Sequence, residues 1–212
     1  MTTIPKVLAA ALLCLGLTPL AQATVTGTTT LTFDDIFSAD PGVPDDAVAD
    51  LAPVYGGLQW DSRIKLINQD YYLGTGDTNY SGAGYHTGVV SGDWAIYNID
   101  ASAVSFYDTA AFTFMSADVT RATSDGSVSF YGYRNGVQTE SMVVNATTSG
   151  PTLVNFNWTN VDRVTFSSDG SDAVLDNITV SAVPEPETYA MLMAGLGMMG
   201  FVARRRRSLS AR

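Results

Sequence analysis

The 212 residues carry 21 Asp and Glu against 11 Lys and Arg, a net charge of −10, with 46% hydrophobic residues and a mean hydropathy near neutral. So acidic a chain excludes phosphate backbones as partners, and with them nucleic acid. One cysteine, Cys14, and one histidine, His86, exclude an internal disulfide framework and paired-imidazole or thiolate metal sites.

Residues 1–23 read as a secretory signal peptide. Lys6 supplies the positive end, Val7 to Leu17 an apolar segment too short to span a bilayer, and Ala21-Gln22-Ala23 the small-x-small cleavage site, with Ala21 and Ala23 as its small residues. Cleavage there would remove Cys14, so the mature chain would be held by packing, and by a bound ion if it takes one.

Residues 24–182 form a length suited to one domain. All 21 acidic residues fall between Thr24 and Glu187, opposed there only by Arg63, Lys65, Arg121, Arg134 and Arg163. That balance fits divalent cations, neutral glycans or plain solubility. Thr, Val, Ser, Tyr and Phe abound, and apolar residues recur with period two, never with a helical period over three turns.

Thr24 to Phe33 alternates as an opening strand with Val25, Leu31 and Phe33 inward. Asp34-Asp35 opens an acidic loop through Asp50. Strands are expected over Val54–Trp60 and Arg63–Asn68, then a Gly-, Tyr- and Asn-rich loop from Tyr71 to Gly92. Trp94–Ile99 and Phe112–Val119 return to the sheet. Val128–Arg134 and Val137–Val144 flank Asn135-Gly136, whose readiness for positive φ suits a type I′ hairpin. Leu153–Trp158 and Val161–Ser167 read as a strand pair, and Ala173–Val180 closes the domain. The pattern predicts an all-β fold, an antiparallel two-sheet sandwich of the jelly-roll kind.

Two constellations could carry chemistry. If the first and last strands are neighbours, Asp34, Asp35 and Asp176 converge with backbone carbonyls into a hard-oxygen site for a structural Ca²⁺; the alternative is turn-capping by Asp34 and Asp35 with Asp176 in water. In the long loop, Tyr71, Tyr72, Tyr80, Tyr85 and Trp94 alternate with Gly, Asn, Asp and Ser. Flat faces beside amides and carboxylates are what sugars stack on and bond to; the same tyrosines could equally anchor the loop. Catalysis finds little support: His86 stands alone, no Gly-x-Ser-x-Gly occurs, and nothing singles out a carboxylate pair with Glu140. The chain is therefore expected to be no enzyme.

The tail is tripartite: Val183-Pro184-Glu185-Pro186-Glu187, an uncharged apolar run over 188–203, and Arg204-Arg205-Arg206-Arg207 opening a basic tail over 204–212. Sixteen residues of helix reach ~24 Å, enough to span a locally thinned bilayer of ~30 Å core. The arginines would hold its end in the cytoplasm, placing residues 24–182 across the inner membrane.

This order of motif, span and arginine cluster resembles the PEP-CTERM sorting signal of bacterial surface proteins. The resemblance implies recognition by an exosortase, which would act near Val183, Pro184, Glu185 and Pro186. It also implies a periplasmic, membrane-anchored precursor that becomes a cell-surface or matrix protein of the exopolysaccharide and biofilm kind. Phe33-Asp34-Asp35, Tyr55-Gly56-Gly57-Leu58-Gln59-Trp60, Gly132-Tyr133-x-Asn135-Gly136 and Leu175-Asp176-Asn177-Ile178 look like the β-sandwich passengers of such proteins. Those are similar in architecture to galactose-binding-like carbohydrate-binding modules, which implies the sandwich fold and favours a structural calcium near the chain ends. The leading reading is a non-enzymatic matrix or surface protein that binds exopolysaccharide. The alternatives are a polysaccharide-acting hydrolase on the same scaffold and a purely structural matrix component.

Overall fold

The computed structural model describes residues 24–36, 48–69, 83–183, 193–197 and 199. Outside them lie the signal-peptide assignment with Ala21 and Ala23, the loop residues Tyr71, Tyr72 and Tyr80, the motif residues Pro184, Glu185 and Pro186, and Arg204 to Arg207.

The domain is all-β, and its strands pair antiparallel throughout. In chain order they are β1 (Thr28–Leu31), β2 (Val48–Asp50), β3 (Val54–Tyr55), β4 (Leu58–Trp60), β5 (Ile64–Asn68), β6 (Trp94–Asn98), β7 (Val104–Arg121), β8 (Gly126–Arg134), β9 (Val137–Ala146), β10 (Thr152–Ser168) and β11 (Ala173–Ala182). One helical turn, α1 (Gly84–Thr87), and a 3₁₀ turn at Ile99–Ala101 interrupt them.

Hydrogen bonds join all eleven strands into one sheet, along the path β2-β5-β6-β11-β7-β10-β8-β9, with β1 on β11 and the β3–β4 hairpin on β7. The sequence suggested an antiparallel two-sheet sandwich; here the strands of the sandwich are hydrogen-bonded into one continuous sheet. The difference lies in β7 and β10, which run 18 and 17 residues and change partners along their length. The near half of β7 pairs with β4 and the far half with β11, while β10 follows it throughout and takes β8 on its other side. Register shifts between Asn155 and Arg163 mark the bend, where Asn157 and Asn160 adopt φ of 53° and 61°. Bulges of this kind let a strand turn a corner without breaking its ladder. The segment read as two strands, Leu153–Trp158 and Val161–Ser167, is thus one bulged strand, and Val54–Trp60 is a two-stranded hairpin turning at Gly56-Gly57 with φ of 60° and 82°.

The curled sheet closes on one principal core. Phe112, Phe114, Phe130, Phe156, Trp158 and Phe166 pack together, with Phe114 and Phe156 stacked at 4.2 Å between ring centroids. Each such ring, fully buried, contributes about 1.5–3 kcal/mol. Val25, Leu31 and Phe33 point inward as their alternation requires. The Asn135-Gly136 turn has φ of 51° and 78°, the type I′ pair, and Asn135 N–H donates to Asp162 Oδ2 at 2.6 Å.

A smaller cluster, made by Ile67, Tyr85, Ala95, Tyr97, Ala122 and Val174, lies under α1. It gives β6 two apolar faces, which is why Trp94 to Asn98 are all buried. α1 settles on β7 only because residue 84 is glycine: a Cβ there would lie 1.7 Å from the Arg121 carbonyl oxygen. The loop reading of this stretch missed that turn.

Candidate functional site

β1 pairs with β11, Leu31 opposite Ile178, so the acids at the two ends of the domain do approach one another. Between Asp34 and Asp176 runs the 90–94 segment. Asp34 Oδ1 accepts the N–H groups of Asp93 at 2.8 Å and Trp94 at 3.1 Å. Asp176 is fully buried; its Oδ2 accepts from Val90 N–H at 2.7 Å and Ser91 N–H at 2.9 Å, and its Oδ1 from Asn177 N–H at 2.6 Å. Gly92, at φ 53°, fits beneath Asp34, whose carboxylate would lie 2.1 Å from any Cβ there.

Burial pushes the Asp176 carboxyl up from 3.8 to about 6; the N–H groups of Ser91, Val90 and Asn177 pull it back, and the negative charge of Asp34 raises it further. Asp35 turns elsewhere, accepting the Tyr55 hydroxyl at 2.7 Å, and that contact together with burial raises the Tyr55 phenol well above its usual range. Among the described residues no group of three or more Asp, Glu or His is placed to hold a metal ion. Backbone N–H groups already bond to Asp34 Oδ1 and to both Asp176 oxygens, and Asp35 turns to Tyr55 instead of joining Asp34 and Asp176.

Tyr85 and Trp94, the described members of the aromatic set, are 8% and 6% exposed. Trp94 belongs to the main core and Tyr85 meets Tyr97 edge to face at 5.3 Å, so neither ring lies open as a stacking platform. Tyr85 nevertheless has a polar function. Its hydroxyl donates to Asp172 Oδ2 at 2.5 Å, and Asp172 Oδ1 accepts the Ala101 N–H at 2.7 Å.

Those contacts frame a pocket of about 550 Å³, lined by Tyr85, Tyr97, Ile99, Asp100, Ala101, Thr123, Gly170, Ser171 and Asp172. Sequence reasoning found only Tyr85 of this set. The pocket assembles residues from α1, the end of β6 with the 3₁₀ turn that follows it, the β7–β8 turn and the β10–β11 turn, and no single stretch announces it.

Its frame is rigid. Asn98 is buried; its Nδ2 donates to the Ser102 carbonyl at 2.7 Å and its Oδ1 accepts Ala173 N–H at 2.7 Å, tying the 3₁₀ turn to the start of β11. Ser171 Oγ accepts Thr123 N–H at 2.9 Å and stands 3.0 Å from Thr123 Oγ1. Behind them Arg121, 1% exposed, donates to the carbonyls of Ser124 at 3.1 Å, Ser127 at 3.0 Å and Asp169. Burial lowers its pKa, and the nearby charges of Asp169 and Asp172 raise it again.

Asp100 and Ala101 hold φ of 57° and 54°, two successive left-handed residues neither of which is glycine. Such backbone persists only where its surroundings impose it; here the Asp172 carboxylate receives the Ala101 N–H and fixes the turn. The outcome is a polar depression with a carboxylate at its rim (Asp100), a second in its wall, hydroxyls from Thr123 and Ser171, and two tyrosines beneath. His86 is not part of it: its Nδ1 lies 3.0 Å from the Gln69 carbonyl oxygen.

Residues 182–207 match the PEP-CTERM protein-sorting motif. Its first residue, Ala182, is the last of β11, and Val183 follows directly, so no spacer separates the folded body from the motif. Among solved structures the chain is similar to a CBM4 module, at 16% identity and TM-score 0.32 over 72% of this chain and 97% of that one. It is also similar to CBM51 from Clostridium perfringens GH95 in complex with methyl-galactose, at 10% identity and TM-score 0.31 over 72% and 100%. A third is the family 11 carbohydrate-binding module of Clostridium thermocellum in complex with a mixed-linked tetrasaccharide, at 14% identity and TM-score 0.31 over 76% and 99%. No curated protein matches the chain.

Proposed function

We propose that a chain with this sorting motif is an exosortase substrate, exported behind a signal peptide over 1–23 and held in the inner membrane by a helix over 188–203. Cleavage near Pro184 then releases a jelly-roll passenger to the cell surface or matrix. The motif at 182–207 supports the sorting step. Among the described residues no helix is long and apolar enough to cross a membrane; the described part of the tail, 193–197 and 199, is helical and leaves Met193, Leu196 and Met199 exposed.

The passenger is a carbohydrate-binding protein of the exopolysaccharide matrix, and it acts without turnover. One observation carries this: the pocket over Tyr85 and Tyr97 presents hydroxyls, carboxylates and backbone groups at a volume of about 550 Å³, within the range of small-molecule sites. Asp172 is already committed to Tyr85 and Ala101, which suits a fixed acceptor better than a proton carrier.

The test is a panel of soluble polysaccharides in affinity electrophoresis with the mature protein, paired with a reducing-end assay. Retardation without new reducing ends is the expected result. Sugar release would establish the hydrolase alternative, and neither retardation nor release would leave a purely structural matrix component.

A further inference from the structure

The five basic residues of the passenger all have identified positions. Arg63 pairs with Asp61 at 2.8 Å, Lys65 with Asp50 at 2.6 Å and Arg134 with Asp162 at 3.6 Å; Arg163 lies over the Tyr107 ring at 5.3 Å; Arg121 is buried against three carbonyls. No basic side chain lines the pocket.

Of the acids there, Asp172 is bonded twice and lies within the field of Arg121, so its charge is largely answered. Asp100 differs. It lines the pocket, stands exposed, and has no basic side chain among its pocket neighbours, on a backbone held at φ 57°. An uncompensated carboxylate beside two hydroxyls and a wall of tyrosine repels uronate, sulfate and phosphate groups. It tolerates a neutral sugar. It favours a sugar unit with a protonated amine, whose N–H donors would form a charge-assisted bond roughly twice as strong as a neutral one.

We propose that this pocket recognises an amino sugar with a free ammonium group, through Asp100, within a polysaccharide that is at least partly deacetylated. The inference rests on the carbohydrate-binding reading above and narrows it to one ligand class.

The experiment uses the mature protein in isothermal titration with four short oligosaccharides of equal length: glucosamine, N-acetylglucosamine, glucose and a uronic acid. Each is titrated with and without EDTA. Asp100→Asn is the decisive variant, because asparagine tolerates left-handed φ as well as aspartate does and the fold is kept. Asp50→Asn is the control for general attraction to an acidic protein, since Asp50 is 85% exposed and belongs to the Lys65 pair.

The expected result is glucosamine bound at least about tenfold more tightly than its acetylated form, with that margin lost in Asp100→Asn, kept in Asp50→Asn and indifferent to EDTA. Equal or tighter binding of the acetylated or glucose oligomer would overturn the amine proposal and leave carbohydrate binding standing. So would a margin that both variants reduce alike, or one that EDTA abolishes. Failure to bind any of the four would overturn the amine proposal, while the carbohydrate reading falls only if the polysaccharide panel is silent as well.

Discussion

Asp34 and Asp176 divide one turn between them: Asp176 takes the N–H groups of Val90 and Ser91, and Asp34 takes those of Asp93 and Trp94. The turn passes from one carboxylate to the other at Gly92, and a buried acid in the last strand is thereby coupled to a half-buried one just after the first.

The first consequence is a pH dependence of unusual sign. The folded-state value for Asp176, about 6, lies above its ordinary 3.8, so the folded protein binds the proton more tightly. The penalty on the charged form is therefore complete above pH 6 and relieved as pH falls toward 4. The interval corresponds to about 3 kcal/mol at most. Denaturation midpoints of the parent should rise relative to Asp176→Asn on going from pH 7 to pH 5, and two parallel curves would remove Asp176 as the cause.

Gly92→Ala should cost about 1–3 kcal/mol, from the left-handed φ and from the displaced Asp34 carboxylate. In Asp34→Ala the steric part of that cost disappears. Urea titration of the two single variants and the double should accordingly show less than additive loss.

Metal removal is expected to do nothing. Asp34 Oδ1 and both Asp176 oxygens accept backbone N–H groups, so EDTA or millimolar Ca²⁺ should leave the melting temperature unchanged. A calcium-dependent rise that survives in Asp100→Asn and vanishes in Asp34→Ala would restore the metal site.

Arg121→Met should be clearly destabilising, by about 1–3 kcal/mol, because it removes a buried guanidinium that bonds the carbonyls of Ser124, Ser127 and Asp169. Arg121→Lys should recover little, since one ammonium cannot reach three acceptors set out for a guanidinium fork. Equilibrium unfolding in guanidinium chloride measures both.

How much of this was legible follows from range. Asn135-Gly136 between alternating strands is a local signal, and the turn is as its chemistry requires. The meeting of first and last strands followed from the closure of a β fold. Arg121 reads in sequence as an ordinary charge, because burial depends on turns 3, 6 and 48 residues away. The gap at 159–160 read as a break between two strands, since a bulge with asparagine at positive φ resembles a turn in sequence. The pocket drew on four separated segments, and only Tyr85 carried a local hint of it. The tail was legible because its three parts must follow one another along the chain, so their order is itself the message.

The pairing of β11 has a mechanical consequence if the proposed C-terminal tether holds the domain. Tension drawn through Val183 would then enter at Ala182, whose strand is bonded to β1 on one edge and β7 on the other, with Ala182 N–H also donating to the Gly27 carbonyl at 2.8 Å. A load so applied would act on two ladders together, where a marginal strand has only one to give.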